Sequence, residues 1–177
     1  SRIKMLSRII ENKRKEIELN KKKLPLSSFK NKLQNSERDF KKALSKNKLN
    51  LIAEIKRKSP SQNIADKEFN IKEIVKAYNK YANAISVLTD KKFFGGSLMD
   101  MKTVSKLSGL PILRKDFIID EYQIYESRFY NADAILLIAS ALPSDKLGHF
   151  ISVAESYGMS SLVEINTEEE LYKVLNS

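Results

Sequence analysis

Five short apolar runs, separated by helix-period segments, constrain the fold of this 177-residue chain more than any other feature. The runs are NLIAEIK (50–56), AISVLTD (84–90), PILRKDF (111–117), AILLIAS (134–140) and SLVEIN (161–166). Their starts lie 23 to 34 residues apart. Between them, apolar residues recur at intervals of three and four, as Ile71, Ile74, Val75 and Tyr78 do. Further helices are expected over 97–109, ending on Gly109, from an N-cap at Asp120, and from Ser144 to a stop at Gly158. A last one opens at Thr167, with Glu170 placed to complete a capping box. Strands alternating with helices at this spacing predict a parallel sheet with right-handed crossovers.

The charges inside the runs decide which parallel fold. In LIAEIK, Glu54 and Lys56 stand two apart, so period-2 geometry aims both at one face of the strand. Asp90, Lys115 and Glu164 likewise sit at the C-terminal ends of their runs, each two residues beyond an apolar neighbour (Leu88, Leu113 and Leu162). A doubly wound sheet would press such charges against covering helices, where an unpaired charge is costly. In a (β/α)8 barrel they would face a solvent-filled mouth. No G-x-G-x-x-G follows the first run, which removes the main support for a dinucleotide site. The reading is an α/β chain of the TIM-barrel class carrying an N-terminal helical extension. Residues 1–49 form the extension, and 50–177 form five of eight βα units.

The extension is expected to hold helices from Ile3 to about Lys22 and from Ser27 to about Ser45. Residues 1–50 carry 16 Lys+Arg against 5 Asp+Glu, while the remainder is nearly balanced at 16 against 17. These lysines are dispersed through a helical pattern without interleaved aromatics, which favours a solvated helix face over a nucleic-acid arm. No run approaches the roughly 18 apolar residues of a membrane span. The absence of cysteine excludes disulfides and fits a cytoplasmic setting. A single histidine, His149, makes a zinc site improbable, and it reads as a surface residue. Met5, Met99, Met101 and Met159 read as core fillers.

The segments IAEIKRKSPS, SVLTDKKFFGGS, PILRKDFIIDEYQIYESR, ADAILLIAS and LVEIN resemble, in order and spacing, the first five βα units of indole-3-glycerol phosphate synthases. LSRIIENKRKEIELNKKKLPLSSF is similar to that family's N-terminal extension. The resemblance implies a cofactor-free carbon–carbon lyase (a carboxy-lyase) of tryptophan biosynthesis. Its substrate is 1-(2-carboxyphenylamino)-1-deoxyribulose 5-phosphate, whose indole ring is closed with release of CO2 and water. By resemblance, Lys115 is the general acid of ring closure and Glu164 the general base of dehydration. Lys56 pairs with a substrate anion and can also donate a proton, and Glu54 orients Lys56 and the sugar hydroxyls. Ser59 and Ser61, in a closing loop KSPSQN, contact substrate, and Phe94 and Phe117 wall the anthranilate ring. No metal, nucleic acid or membrane is implied. The expected partners are the phosphorylated substrate and other tryptophan-pathway enzymes.

Such a barrel needs about 250 residues. The units supplying the principal phosphate-binding turns are therefore expected beyond Ser177, leaving an open edge on the fifth strand. This stretch alone is expected to be inactive. Two alternatives stay open: a phosphosugar barrel resembling phosphoribosylanthranilate isomerase, and a non-catalytic binding module using the basic arm.

Overall fold

In the computed structural model, residues 1–62 and 69–177 are described. Five strands, β1 (Ile52–Ile55), β2 (Ala84–Leu88), β3 (Ile112–Lys115), β4 (Ala134–Ile138) and β5 (Ser160–Glu164), form one sheet. Their order is β1-β2-β3-β4-β5, and every pairing is parallel. An order that never reverses, with crossovers of one hand, keeps the connecting helices on one face. The doubly wound alternative would show a reversal at its switch point.

Helices α4 (Ile71–Tyr81), α5 (Leu98–Leu107), α6 (Glu121–Phe129), α7 (Ser144–Ser156) and α8 (Glu168–Leu175) follow the strands in turn. Asp120 caps α6 in a complete capping box with Gln123. Thr167 Oγ1 accepts from Glu170 N at the start of α8, whereas Glu170 Oε2 reaches back to Asn166 N, one residue earlier than expected. Gly158 adopts φ +72°, and a Cβ there would lie 2.9 Å from Ser36 O, so both backbone conformation and space call for glycine. Gly109 shows no positive φ; α5 stops at Leu107 with Ser108 as an extended cap.

The strand pleat sorts side chains into two sets. Ile55, Ile85, Val87, Ile112, Ile135 and Leu137 face the helices and pack with Val75, Met101, Val104, Ile124, Leu147 and Phe150. Ile52, Glu54, Ser86, Leu113, Lys115, Leu136, Leu162 and Glu164 face the opposite, concave side. Register aligns them across strands: Glu54 beside Ser86, Leu88 beside Lys115, and Ile138 beside Glu164. β5 lies at the sheet edge, with Leu162 exposed.

The extension departs from expectation after its first helix. α1 (Arg2–Lys23) runs nearly as anticipated, opening on a Ser1 cap and closing on Lys21, Lys22 and Lys23, which suit the negative end of the helix dipole. It docks on α6, where Tyr122 Oη donates to Leu24 O at 2.8 Å and Lys21 Nζ lies 2.8 Å from Asp120 Oδ2. The continuous helix expected over 27–45 is absent. In its place are α2 (Leu26–Phe29), a 3-10 turn at Lys30–Lys32, and α3 (Phe40–Ala43), with Leu33 extended. Tertiary anchoring overrides the local periodicity here. Phe29 packs with Ile17, Tyr122 and Tyr125, whereas Phe40 enters the concave side beside Ala84, Leu113 and Ala134. A straight helix could not serve two such distant sites. Met101 and Met159 are core residues as expected, but Met99 is exposed.

Candidate active site

The C-terminal ends of the strands open onto two adjoining hollows that share Lys115, Leu136 and Glu164. The deeper has a volume of about 500 Å³ and is walled by the concave residues of β1 to β5, including Glu54. The outer, of about 1000 Å³, is bounded by Phe94, Phe117, Leu88, Ile138 and Ser61, and by residues of α1 and of the β5–α8 connection.

At the floor, Glu54 joins two lysines. Its Oε2 accepts from Lys115 Nζ at 2.6 Å, and Lys56 Nζ lies 3.4 Å from Oε1. Burial pushes the Glu54 carboxyl upward, but the Lys115 hydrogen bond and the charges of Lys115 and Lys56 outweigh it and hold the group below the usual carboxylate range. Glu54 is thus ionised at neutral pH. The Lys115 side chain stays 40% exposed, so its ammonium is anchored yet open to the cavity. Tyr78 Oη donates to the backbone oxygen of Glu54 at 2.6 Å and steadies the strand end from the helix side.

Of the sequence-predicted residues, Lys115, Glu164, Glu54, Phe94, Phe117 and Ser61 all wall one or both hollows. The rings of Phe94 and Phe117 stand 6.1 Å apart, centroid to centroid. Lys56 reaches the site only through Glu54 and is not among the residues that wall either hollow. Ser59 also stands apart from those walls: its backbone pairs with Gln62, and its Oγ lies 3.4 Å from Ser61 Oγ. Asn63, the last residue of the expected closing loop, lies outside the described residues. Gly95 and Gly96 turn the chain tightly after β2. Gly95 has φ +65°, and a Cβ on Gly96 would fall 2.0 Å from Leu88 O.

One strand-end charge is placed differently from expectation. Asp90 does not face water at the mouth; its side chain is fully buried, 2.7 Å from Nζ of Lys13. Asp116, next to Lys115 in the chain, is buried as well and lies 3.0 Å from the same ammonium. The lysines of α1 are therefore not all solvated. Lys13 is 1% exposed and occupies the buried stripe of α1 between Ile9 and Ile17. Burial alone would depress its pKa, but Asp116, Asp90 and Glu16 together raise it above the ordinary lysine value.

Arg114, on the helix side of β3, extends this buried network. Its guanidinium donates to Glu126 Oε1 at 3.1 Å, Asp116 Oδ2 at 3.1 Å, Thr89 Oγ1 at 3.0 Å and Ser127 Oγ at 3.0 Å. α1 also contributes Arg2, Ile3, Met5, Leu6 and Ile9 to the wall of the outer hollow, and Arg2 Nη2 donates to Asn166 Oδ1 at 3.1 Å. The site thus offers an ammonium held by a carboxylate, a second carboxylate across the cavity, and a flat apolar wall. That set can donate a proton, accept one, and grip an aromatic ring.

A family model described as indole-3-glycerol phosphate synthase matches residues 6–177. The indole-3-glycerol phosphate synthase of Caldanaerobacter subterraneus subsp. tengcongensis is 45% identical over 98% of this chain, which covers 68% of that protein. A tryptophan biosynthesis protein TrpCF of Buchnera aphidicola is 44% identical over 97% of this chain and 38% of its own length. The indole-3-glycerol phosphate synthase of Endomicrobium trichonymphae is 49% identical over 78% of the chain and 54% of that protein. The chain therefore spans between 38% and 68% of the length of these relatives.

Proposed function

The chain belongs to the indole-3-glycerol phosphate synthase family, and from that premise we propose that it is part of an enzyme closing the indole ring of 1-(2-carboxyphenylamino)-1-deoxyribulose 5-phosphate. Residues 50–177 supply the first five units of a (β/α)8 barrel, and residues 1–49 its N-terminal extension. The observation that carries the reading is the sharing of one cavity by Lys115 and Glu164, with Glu54 holding the Lys115 ammonium.

In this scheme the ring carbon bearing the carboxylate attacks the substrate ketone, and Lys115 delivers a proton to the ketone oxygen. CO2 then leaves, and its bonding electrons restore the aromatic ring. The new hydroxyl departs as water, taking a proton from Lys56, while Glu164 removes a proton from the neighbouring methylene. Lys56 pairs with a substrate anion, and Ser59 and Ser61 contact the substrate from the loop after β1. Glu54 keeps Lys115 directed inward by a charge-assisted hydrogen bond, a role supported by its being closer to Lys115 than to Lys56. Phe94 and Phe117 enclose the ring.

No cofactor enters the scheme. The proposed partners are this phosphorylated substrate and other enzymes of tryptophan biosynthesis, the latter supported by the name of the TrpCF relative. We place the protein in the cytoplasm, which the lack of cysteine fits. Indole fluorescence tests the proposal when substrate is added to the full-length protein and, in parallel, to residues 1–177 alone. Turnover by the full-length protein and none by the shorter stretch is expected. No turnover by the full-length protein would refute the assignment, and robust turnover by the short stretch would refute its inactivity.

A further inference from the structure

Lys13 Nζ forms ion pairs with three carboxylates, Asp90 at 2.7 Å, Asp116 at 3.0 Å and Glu16 at 3.1 Å, the last also a hydrogen bond. Two of these carboxylates also accept a backbone N–H from the turn they sit in. Asp90 gives Oδ1 to Lys13, while Oδ2 accepts the backbone N–H of Phe93 at 2.8 Å. Asp116 gives Oδ1 to Lys13, and the same oxygen accepts the backbone N–H of Phe117 at 2.7 Å. Its Oδ2 is held by Thr89 at 2.6 Å and by Arg114 at 3.1 Å. One ammonium on α1 therefore grips the two turns that follow β2 and β3. Those turns carry the facing aromatic rings of Phe94 and Phe117, and Asp116 directly follows Lys115.

We propose that Lys13 is a positioning residue: by clamping Asp90 and Asp116 it sets the spacing of the Phe94–Phe117 wall and couples the docking of α1 to the order of the ring-binding site. The proposal rests on the synthase reading for the identity of the ring, but not for the clamp itself. Without the ammonium, Asp90 loses its buried cation and Asp116 keeps only Arg114, so nothing ties the two turns to each other or to α1 and they separate. The wall then loses its grip on a planar ligand, although no residue touching that ligand has changed.

The test uses the full-length protein with Lys13→Met, Lys13→Arg and the double variant Lys13→Met/Asp90→Asn, which carries one fewer unpaired charge and so remains foldable. Two readouts are taken well below the melting temperature. The first is hydrogen exchange at the Phe93 and Phe117 amides. The second is KM and kcat for ring closure, together with the Kd of 2-aminobenzoate as a ring probe. Faster exchange at both amides in Lys13→Met and in the double variant is expected, with KM and probe Kd rising about tenfold or more. Lys13→Arg should restore most of the protection.

Unchanged amide exchange in the double variant would overturn the clamp whatever the activity. KM and Kd within twofold of wild type, alongside lost protection, would overturn its link to ligand binding. Absence of ring closure in the wild type would refute the synthase reading and leave the exchange result to decide the clamp.

Discussion

Lys115 Nζ lies 2.6 Å from Oε2 of Glu54, and the opposite oxygen of that carboxylate faces Lys56 at 3.4 Å. One anion thus restrains two cations at the floor of the cavity. Replacing it by an amide removes the charge but keeps the shape, leaving both ammonium groups without their counter-ion. Glu54→Gln should lower kcat/KM for ring closure by about 100-fold, comparable to loss of a general acid–base contribution. Steady-state fluorescence assays check this, and activity within threefold of wild type would show that Lys115 needs no such anchor.

Arg114 is 3% exposed and has five hydrogen-bonding contacts within the core. Arg114→Met should cost about 3–5 kcal/mol of folding free energy, the range for breaking one side of a buried pair. Urea unfolding measures it. Pairing the change with Glu126→Gln should recover part of the loss, because the stranded carboxylate is then neutral. A single-variant cost below about 1 kcal/mol would contradict the importance of the network.

The carboxylates of the network do not titrate in one direction. Burial pushes Glu16 and Glu126 above the usual value, against the pull of Lys13 and Arg114 respectively. Such groups take up protons in the folded state first, so stability rises as pH falls through their raised pKa. Burial also pushes Asp116 up, but Arg114 and Lys13 override it and hold it low, as Lys115 and Lys56 do Glu54. For these two the unfolded chain binds protons first, and stability is lost as pH drops below the ordinary carboxylate range. Chemical denaturation between pH 7 and 3 should therefore show stability holding or rising to about pH 5 and falling below about pH 4. A steady decline beginning at pH 7 would contradict these signs.

The strand rhythm and the strand-end residues were legible because both follow from period 2. Residues two apart share a face, so Glu54, Leu113, Lys115, Leu162 and Glu164 could be assigned to one side of the sheet without coordinates. The same rule places Arg114 among the helices, although its partners Thr89 and Glu126 come from separate elements. Lys13 left a fainter trace: it stands four residues from both Ile9 and Ile17, in the middle of an apolar helical stripe. Its high local charge context made a solvated face the natural reading, and the buried Asp90 and Asp116 that reverse it lie 77 and 103 residues away in the chain. The break in the helix expected at 27–45 was hidden for a similar reason. Phe29 is drawn to a cluster between α1 and α6 and Phe40 to one formed by strand residues, and both exist only in the assembled fold.

The most direct measurement is a single-turnover experiment on the full-length protein that follows CO2 release and indole fluorescence separately in Lys115→Ala and Glu164→Gln. If Lys115 protonates the ketone, its variant should slow both signals by at least about 100-fold. If Glu164 acts only afterwards, its variant should retain a first-turnover release of CO2 while indole fluorescence falls by at least about 100-fold. Wild-type rates in both variants, or CO2 release that survives loss of Lys115 but not of Glu164, would contradict the assignment of acid and base to these two side chains.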